Sequence, residues 1–215
     1  MGRDGGSWYY AEVVNAQIDP NIPKQNSWSN ISNAVGHTQN VATSKYTKNN
    51  HPWTVTGHQF GVGNEIPSNA FLTGVTFRIS MRKGTKANVE FPRGLLCIYG
   101  SNYANKVTDT KGKATGWHNG LYMVNPSKKM SKDSYTTCDY YMSAENLLIG
   151  GISVATIKDN ITGIDLIFDD NVGSECNVHL KYIAMQVAYE VPTYQGWGRG
   201  EPFIKTGERN LVTWN

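Results

Sequence analysis

Apolar and polar side chains alternate with a period of two between residues 71 and 82. Phe71, Thr73, Val75, Phe77, Ile79 and Met81 fall on one side, and Leu72, Gly74, Thr76, Arg78, Ser80 and Arg82 on the other. That period predicts a β-strand with one face in a core and one in water. The same pattern returns at 164–168, where Ile164, Leu166 and Phe168 alternate with Asp165 and Ile167. It returns again at 183–191, where Ile183, Met185, Val187, Tyr189 and Val191 interleave with Ala184, Gln186, Ala188 and Glu190. The polar stretch 169–173 between them predicts a turn joining two late strands.

Shorter strands are expected at 41–46, 53–60 and 89–99, with Pro92 marking a bulge or an edge position; 8–14 reads as a first strand or an arm laid on a neighbour, and 140–142 leads into the last strands. Helical periodicity is weak everywhere, and 147–157 reads as the lead-in to the last strands. Residues 27–40 are rich in Asn and Ser around a single anchor, Trp28, and predict irregular structure at a sheet edge. Between 100 and 139 the alternation breaks down, which predicts long surface loops. The fold class is therefore all-β: an antiparallel β-sandwich, jelly-roll-like, with long loops and extended terminal arms. Its expected divisions are an N-terminal arm or first strand at 1–20, the sandwich at 21–192 and a C-terminal arm at 193–215. That last piece is Gly-rich and polar yet holds Trp197, Phe203, Ile204, Leu211 and Trp214. It reads either as a solvated tail or as an assembly arm whose apolar residues insert into a neighbouring subunit.

Composition supports this picture: charged residues are only 17% of the chain, and 22 of 215 residues are Gly. A net charge of +3 is too small to predict a nucleic-acid partner. The densest basic runs, 82–86 and Lys128-Lys129, read as solvated loop tips. Three cysteines, Cys97, Cys138 and Cys176, cannot complete a disulfide framework, which predicts free thiols and assembly in a reducing cytoplasm. No apolar run approaches the length of a bilayer span, and no secretory leader is visible at the start, so no membrane partner is expected.

Candidate chemistry is sparse. His37, His51, His58, His118 and His179 are scattered without ligand spacing, although His58 and His179 sit on expected strands and could meet. Asp169, Asp170, Asn171 and Glu175 offer hard oxygens for calcium, but Asx-turn chemistry accounts for the same residues. Glu90, Asp109, Asp139 and Glu145 show no pairing suited to hydrolysis, and there is no nucleophile elbow. Gly61-Val62-Gly63 is followed by no helix and so is not a phosphate loop. No catalytic residue, metal or cofactor is expected. Aromatic side chains are the feature compatible with ligand recognition: Tyr103, Trp117, Tyr122 and Tyr135 head the candidates, with Tyr140 and Tyr141 beside them.

The order of these pieces resembles a β-sandwich module of structural proteins in bacteriophage tails and prophage tail loci. The matching residues are Ser27-Trp28-Ser29-Asn30, then 58–62, then Ile66-Pro67-Ser68-Asn69-Ala70-Phe71-Leu72-Thr73-Gly74-Val75, followed by Arg78 and Arg82-Lys83. The late matches are Gly163-Ile164-Asp165-Leu166, in the family a strand paired with the last one, and the Tyr-containing last strand at 182–189. The resemblance spans about 27–191. Where that family carries an Asp ahead of its last aromatic strand, this chain has His179-Leu180-Lys181.

The resemblance implies a non-enzymatic virion structural protein of the tail, baseplate or host-attachment apparatus. Its partners would be other virion proteins, copies of itself in a trimer and a host cell-surface glycan, and its location the virion, assembled in the host cytoplasm. The alternatives are a carbohydrate-binding module for cell-surface polysaccharide, a capsid decoration or collar protein, and a glycan-cleaving enzyme on the same fold.

Overall fold

Alternating stretches become strands, and two long ones set the frame. In this computed structural model the described residues are 7–15, 25–36, 39–47, 50–85, 88–98, 118–123, 128–168, 174–197, 201–206 and 209–212. In chain order the strands are β1 (Tyr9–Tyr10), β2 (Glu12–Asn15), β3 (Gln25–Asn26), β4 (Ala42–Tyr46), β5 (His51–Pro52), β6 (Val55–His58), β7 (Phe71–Lys83) and β8 (Arg93–Ile98). They continue as β9 (His118–Met123), β10 (Thr136–Ser143), β11 (Thr162–Ile167), β12 (Cys176–Glu190), β13 (Thr193–Trp197), β14 (Glu201–Thr206) and β15 (Arg209–Val212). Two short helices, α1 (Ala144–Ile149) and α2 (Val154–Lys158), follow β10.

The strands form an antiparallel β-sandwich. Sheet A runs β1-β12-β7-β10, with β4 also paired to β12, and sheet B runs β2-β6-β11-β8-β9. β13, β14 and β15 make a separate antiparallel meander. One edge of β12 is shared by three segments in turn: β4 along Cys176–Leu180, Val35 and Gly36 at Lys181 and Tyr182, and β1 with Ala11 at Ile183 to Met185. The chain crosses from sheet A to sheet B at Ala11, so the first strands tie both layers together.

The core lies between the sheets. Phe77, Ile79 and Met81 of β7, Tyr140 of β10, and Ile183 and Met185 of β12 face Val13, Val55, Leu96, Ile164 and Leu166 of sheet B, all buried. Phe168 packs against Trp28 and Tyr46, and Trp28 donates its Nε1–H to the Trp53 carbonyl at 2.8 Å. Burying each such side chain is worth about 1.5–3 kcal/mol. Tyr140 is buried because its hydroxyl donates to the Pro92 carbonyl at 2.6 Å, and burial pushes its ionisation above the ordinary tyrosine range.

Several expectations change. Phe71 and Thr73 are exposed, whereas Leu72 packs on the core: the register of β7 against β12 shifts between Ala188 and Tyr189, leaving Thr73 as an extra residue that reverses the alternation. Residues 147–157 hold helical turns, set by local caps too short to show a period. The Ser143 hydroxyl accepts from Asn146 N–H, and Ser153 and Thr156 form a reciprocal capping box. β11 and β12 are not partners, since β11 lies between β6 and β8 in sheet B while β12 pairs β7 in sheet A. Arg82 and Lys83 belong to β7 rather than to a loop tip. The expected turn at 169–173, with its calcium oxygens, lies outside the described residues, and Glu175 pairs with Lys45. Cys138 and Cys176 are buried free thiols.

Asp165, expected on a wet face, is fully buried on the outer side of sheet B with Thr56 and Leu95. The Thr56 hydroxyl donates to it, yet burial dominates and pushes its carboxyl up to about 7. The native state therefore keeps this proton between about pH 4 and 7 while the unfolded chain has lost it, so stability falls as pH rises through that window and levels off above it. Relative to Asp165→Asn, whose amide oxygen still accepts from Thr56, the loss approaches about 4 kcal/mol in urea titrations run across that range. Gly57 faces the core against Ile183, where an added Cβ would stand 2.8 Å from a side-chain carbon. Gly57→Ala costs about 1–3 kcal/mol by the same measurement, and adding Ile183→Val recovers part of it.

Candidate functional site

The outward residues of β7 are Gly74, Thr76, Arg78, Ser80 and Arg82, because their alternates Val75, Phe77, Ile79 and Met81 are buried. Register then decides what stands beside each. Asp139 of β10 is opposite Arg78 on one side and Ala184 of β12 on the other, with Tyr10 of β1 beyond Ala184. Arg78 Nε and Nη2 donate to the two Asp139 carboxylate oxygens at 2.7 and 2.6 Å. This is a planar bidentate pair. The Trp8 ring centroid lies 4.1 Å from the guanidinium carbon, so one face of Arg78 is stacked while its edge is held by Asp139. The hydrogen bond to Asp139 raises the Arg78 pKa further, and the pair keeps 34% and 42% of its side-chain surface exposed.

Aromatic rings surround this pair. Tyr10 and Tyr182 meet edge to face with centroids 5.3 Å apart. Gly36 is needed beside them: its φ is +79°, and an added Cβ would come within 2.6 Å of the Tyr10 ring. Tyr141, two positions on from Asp139, lies across Gly74, where a Cβ would meet its ring at 2.8 Å. The Tyr141 residue is 62% exposed. Burial raises the Tyr182 pKa, with the nearby Tyr10 adding to it.

At the far end of the same face, Tyr135 sits 5.3 Å from the Arg82 guanidinium carbon and 5.5 Å from Lys181 Nζ, measured to the ring centroid. His179, opposite Arg82 in the ladder, hydrogen-bonds the Thr43 hydroxyl through Nδ1 at 3.2 Å. Burial, and then the charge of Arg82, lower its pKa. Aromatic faces beside a fixed guanidinium–carboxylate pair suit a polar ligand that also has apolar faces. Among the described residues no group of three or more His, Cys, Asp or Glu is placed to hold a metal ion.

Of the aromatics singled out by sequence, Tyr135 and Tyr141 belong to this face and Tyr140 to the core. Tyr122 is in β9 opposite Leu95, in the other sheet. Tyr103, Trp117 and Trp214 lie outside the described residues. Trp197 is in β13, and Phe203 and Ile204 are in β14 opposite Gln195 and Tyr194. His58 and His179 do not meet, being on the outer sides of different sheets. Sequence reasoning missed Trp8, Tyr10, Arg78, Asp139 and Tyr182 as a group. One signal was available: the apolar positions Cys176, Val178 and Leu180 are even-numbered and Ile183, Met185 and Val187 odd-numbered, which marks the bulge found at Lys181 and Tyr182.

No family model matches the chain, and no curated protein matches it. One solved structure, described as "CBM4 structure and function", superposes with a TM-score of 0.36 at 10% identity, over 84% of this chain and 94% of that one. At that level the likeness carries nothing further for this chain.

A half-exposed ion pair contributes little to folding. Asp139→Asn accordingly changes the unfolding free energy by less than about 1 kcal/mol in denaturant titration.

Proposed function

We propose that the chain is a non-catalytic carbohydrate-recognition protein that binds polysaccharide on the outer face of sheet A. The observation that carries this reading is the Arg78–Asp139 pair, stacked under Trp8 and flanked by Tyr10, Tyr182 and the exposed ring of Tyr141. Sugar rings present C–H faces that stack on aromatics and hydroxyl groups that both donate and accept. A guanidinium offers donors only and a carboxylate acceptors only, so the pair presents complementary edges to such hydroxyls at fixed spacing. Holding both groups rigid before binding reduces the ordering cost.

Affinity electrophoresis against a panel of soluble polysaccharides tests this. The full chain is retarded by at least one of them, and Trp8→Ala, Tyr141→Ala and Asp139→Asn each weaken that binding about ten-fold or more, with unfolding midpoints little changed. Retardation by none of the panel would sink the reading.

A second reading, a structural part of a phage particle as the sequence resemblance implies, draws on a different place. Phe71, Val191 and the α1 residues Leu148 and Ile149 are exposed at the same end of sheet A, with Leu148 79% exposed. Apolar side chains gathered in this way commonly mark a protein contact, here with a second copy of the chain. Light scattering then gives a mass above that of one chain, and Leu148→Asp with Ile149→Asp returns it to a monomer. A monomeric unsubstituted chain would remove this reading and leave the first untouched.

A further inference from the structure

Two cations converge on one ring at the corner of sheet A. Arg82 comes from β7, Lys181 from β12, and Tyr135 from the residue ahead of β10. Lys181 is there because of the bulge. The ladder steps from Leu180 opposite Met81 to Tyr182 opposite Ser80, so one extra residue is accommodated. Leu180 and Ile183 both stay in the core, and Lys181 and Tyr182 are left partly exposed between them. A bulge re-aims side chains in this way at the cost of regular pairing. The displaced backbone is tied down at the strand edge, where Gly36 N–H donates to the Lys181 carbonyl at 3.2 Å.

The charges at this corner are not balanced. Arg78 has Asp139, but among the described residues neither Arg82 nor Lys181 has a carboxylate within ion-pair distance. The Tyr135 ring orients both cations without cancelling their charge. Burial first, and then the charge of Arg82, lower the pKa of the neighbouring His179. Like charges held together in this way repel, and an anion arriving between them removes that repulsion while gaining two charge-assisted contacts.

We propose that this corner is a subsite for the anionic group of a glycan, a carboxylate or a phosphate ester, and that the protein's ligands are acidic polysaccharides. The proposal rests on the carbohydrate reading of the same face and specifies its ligand class. Arg78 and Arg82 are four residues apart on one strand, about 13 Å, so both are reached only by an extended chain rather than a single sugar. Such a chain stacks one ring near Trp8 and Tyr182 and places an acidic neighbour at Arg82 and Lys181. The planar guanidinium takes the anion in bidentate fashion, and the lysine adds a compact charge beside it.

The test compares four polymers on the full chain by calorimetry: polygalacturonate, its carboxyl-reduced product, a phosphorylated mannan and single-stranded DNA. One of the two acidic polymers binds about ten-fold or more tighter than the carboxyl-reduced product, and which one it is identifies the anion as carboxylate or phosphate. Arg82→Gln and Lys181→Gln each remove most of that preference, weakening binding of the acidic polymer far more than that of the reduced one. Arg82→Lys keeps part of it. Equal affinity for the acidic and reduced polymers overturns the proposal while leaving the carbohydrate reading intact, as does an equal loss on both when the cations are removed. DNA bound as tightly as the better acidic polymer, with the same dependence on Arg82, overturns it in favour of a general polyanion site. Binding of none of the four overturns it as well, and the polysaccharide panel then decides separately whether the face binds sugar at all.

Discussion

The antiparallel ladder between β7 and β12 is the interaction on which the rest depends. It is the longest pairing among the described residues, running from Phe71 opposite Glu190 to Lys83 opposite Val178. Its inner side supplies Val75, Phe77, Ile79, Met81, Ile183, Met185 and Val187 to the core, and its outer side supplies Arg78, Arg82 and Tyr182 to the candidate site. Core and site are thus two sides of one ladder. A slip of one residue would turn the cations inward and the apolar residues outward, so the burial energy of the core also holds the register of the face.

The two departures from regular pairing separate regions with different surfaces. At the Lys181 bulge the sheet gains a cation and a tyrosine on its outer side while keeping its core filled. At the shift near Thr73 the alternation reverses, Leu72 turns to the core and Phe71 becomes exposed beside Val191 and α1. Between these two points lies the regular stretch that carries the Arg78–Asp139 pair. Bulges increase local twist and re-aim side chains, which explains why surface features gather next to them.

Sheet B behaves differently. On its outer side Thr56, His58, Leu95 and Asp165 are buried, although Glu12 and Arg93 at the same side are exposed. The buried Asp165 carboxyl, pushed up to about 7, reflects the cost of placing an ionisable group among those buried residues.

How far the fold was legible follows from what is local. Alternation over a few residues reports a strand directly, so β7, β11 and the later half of β12 could be read from spacing, as could the sandwich class. The short helices could not: a single turn held by the Ser153–Thr156 box leaves no repeating pattern. Nor could the partners, because which strand lies beside which depends on contacts far apart in the chain, and that is why β11 and β12, adjacent in sequence, end in different sheets. The site follows the same division. The chain by itself determined that Arg78 lies on the polar side of a long strand and that aromatic side chains are plentiful beside the charged ones. Only the tertiary structure decided that Trp8, just ahead of the first strand, Tyr10 within it, and Asp139, from a strand more than a hundred residues later, meet at Arg78. Strand pairing is non-local, and a side chain's neighbours across a sheet are set by register rather than by sequence distance.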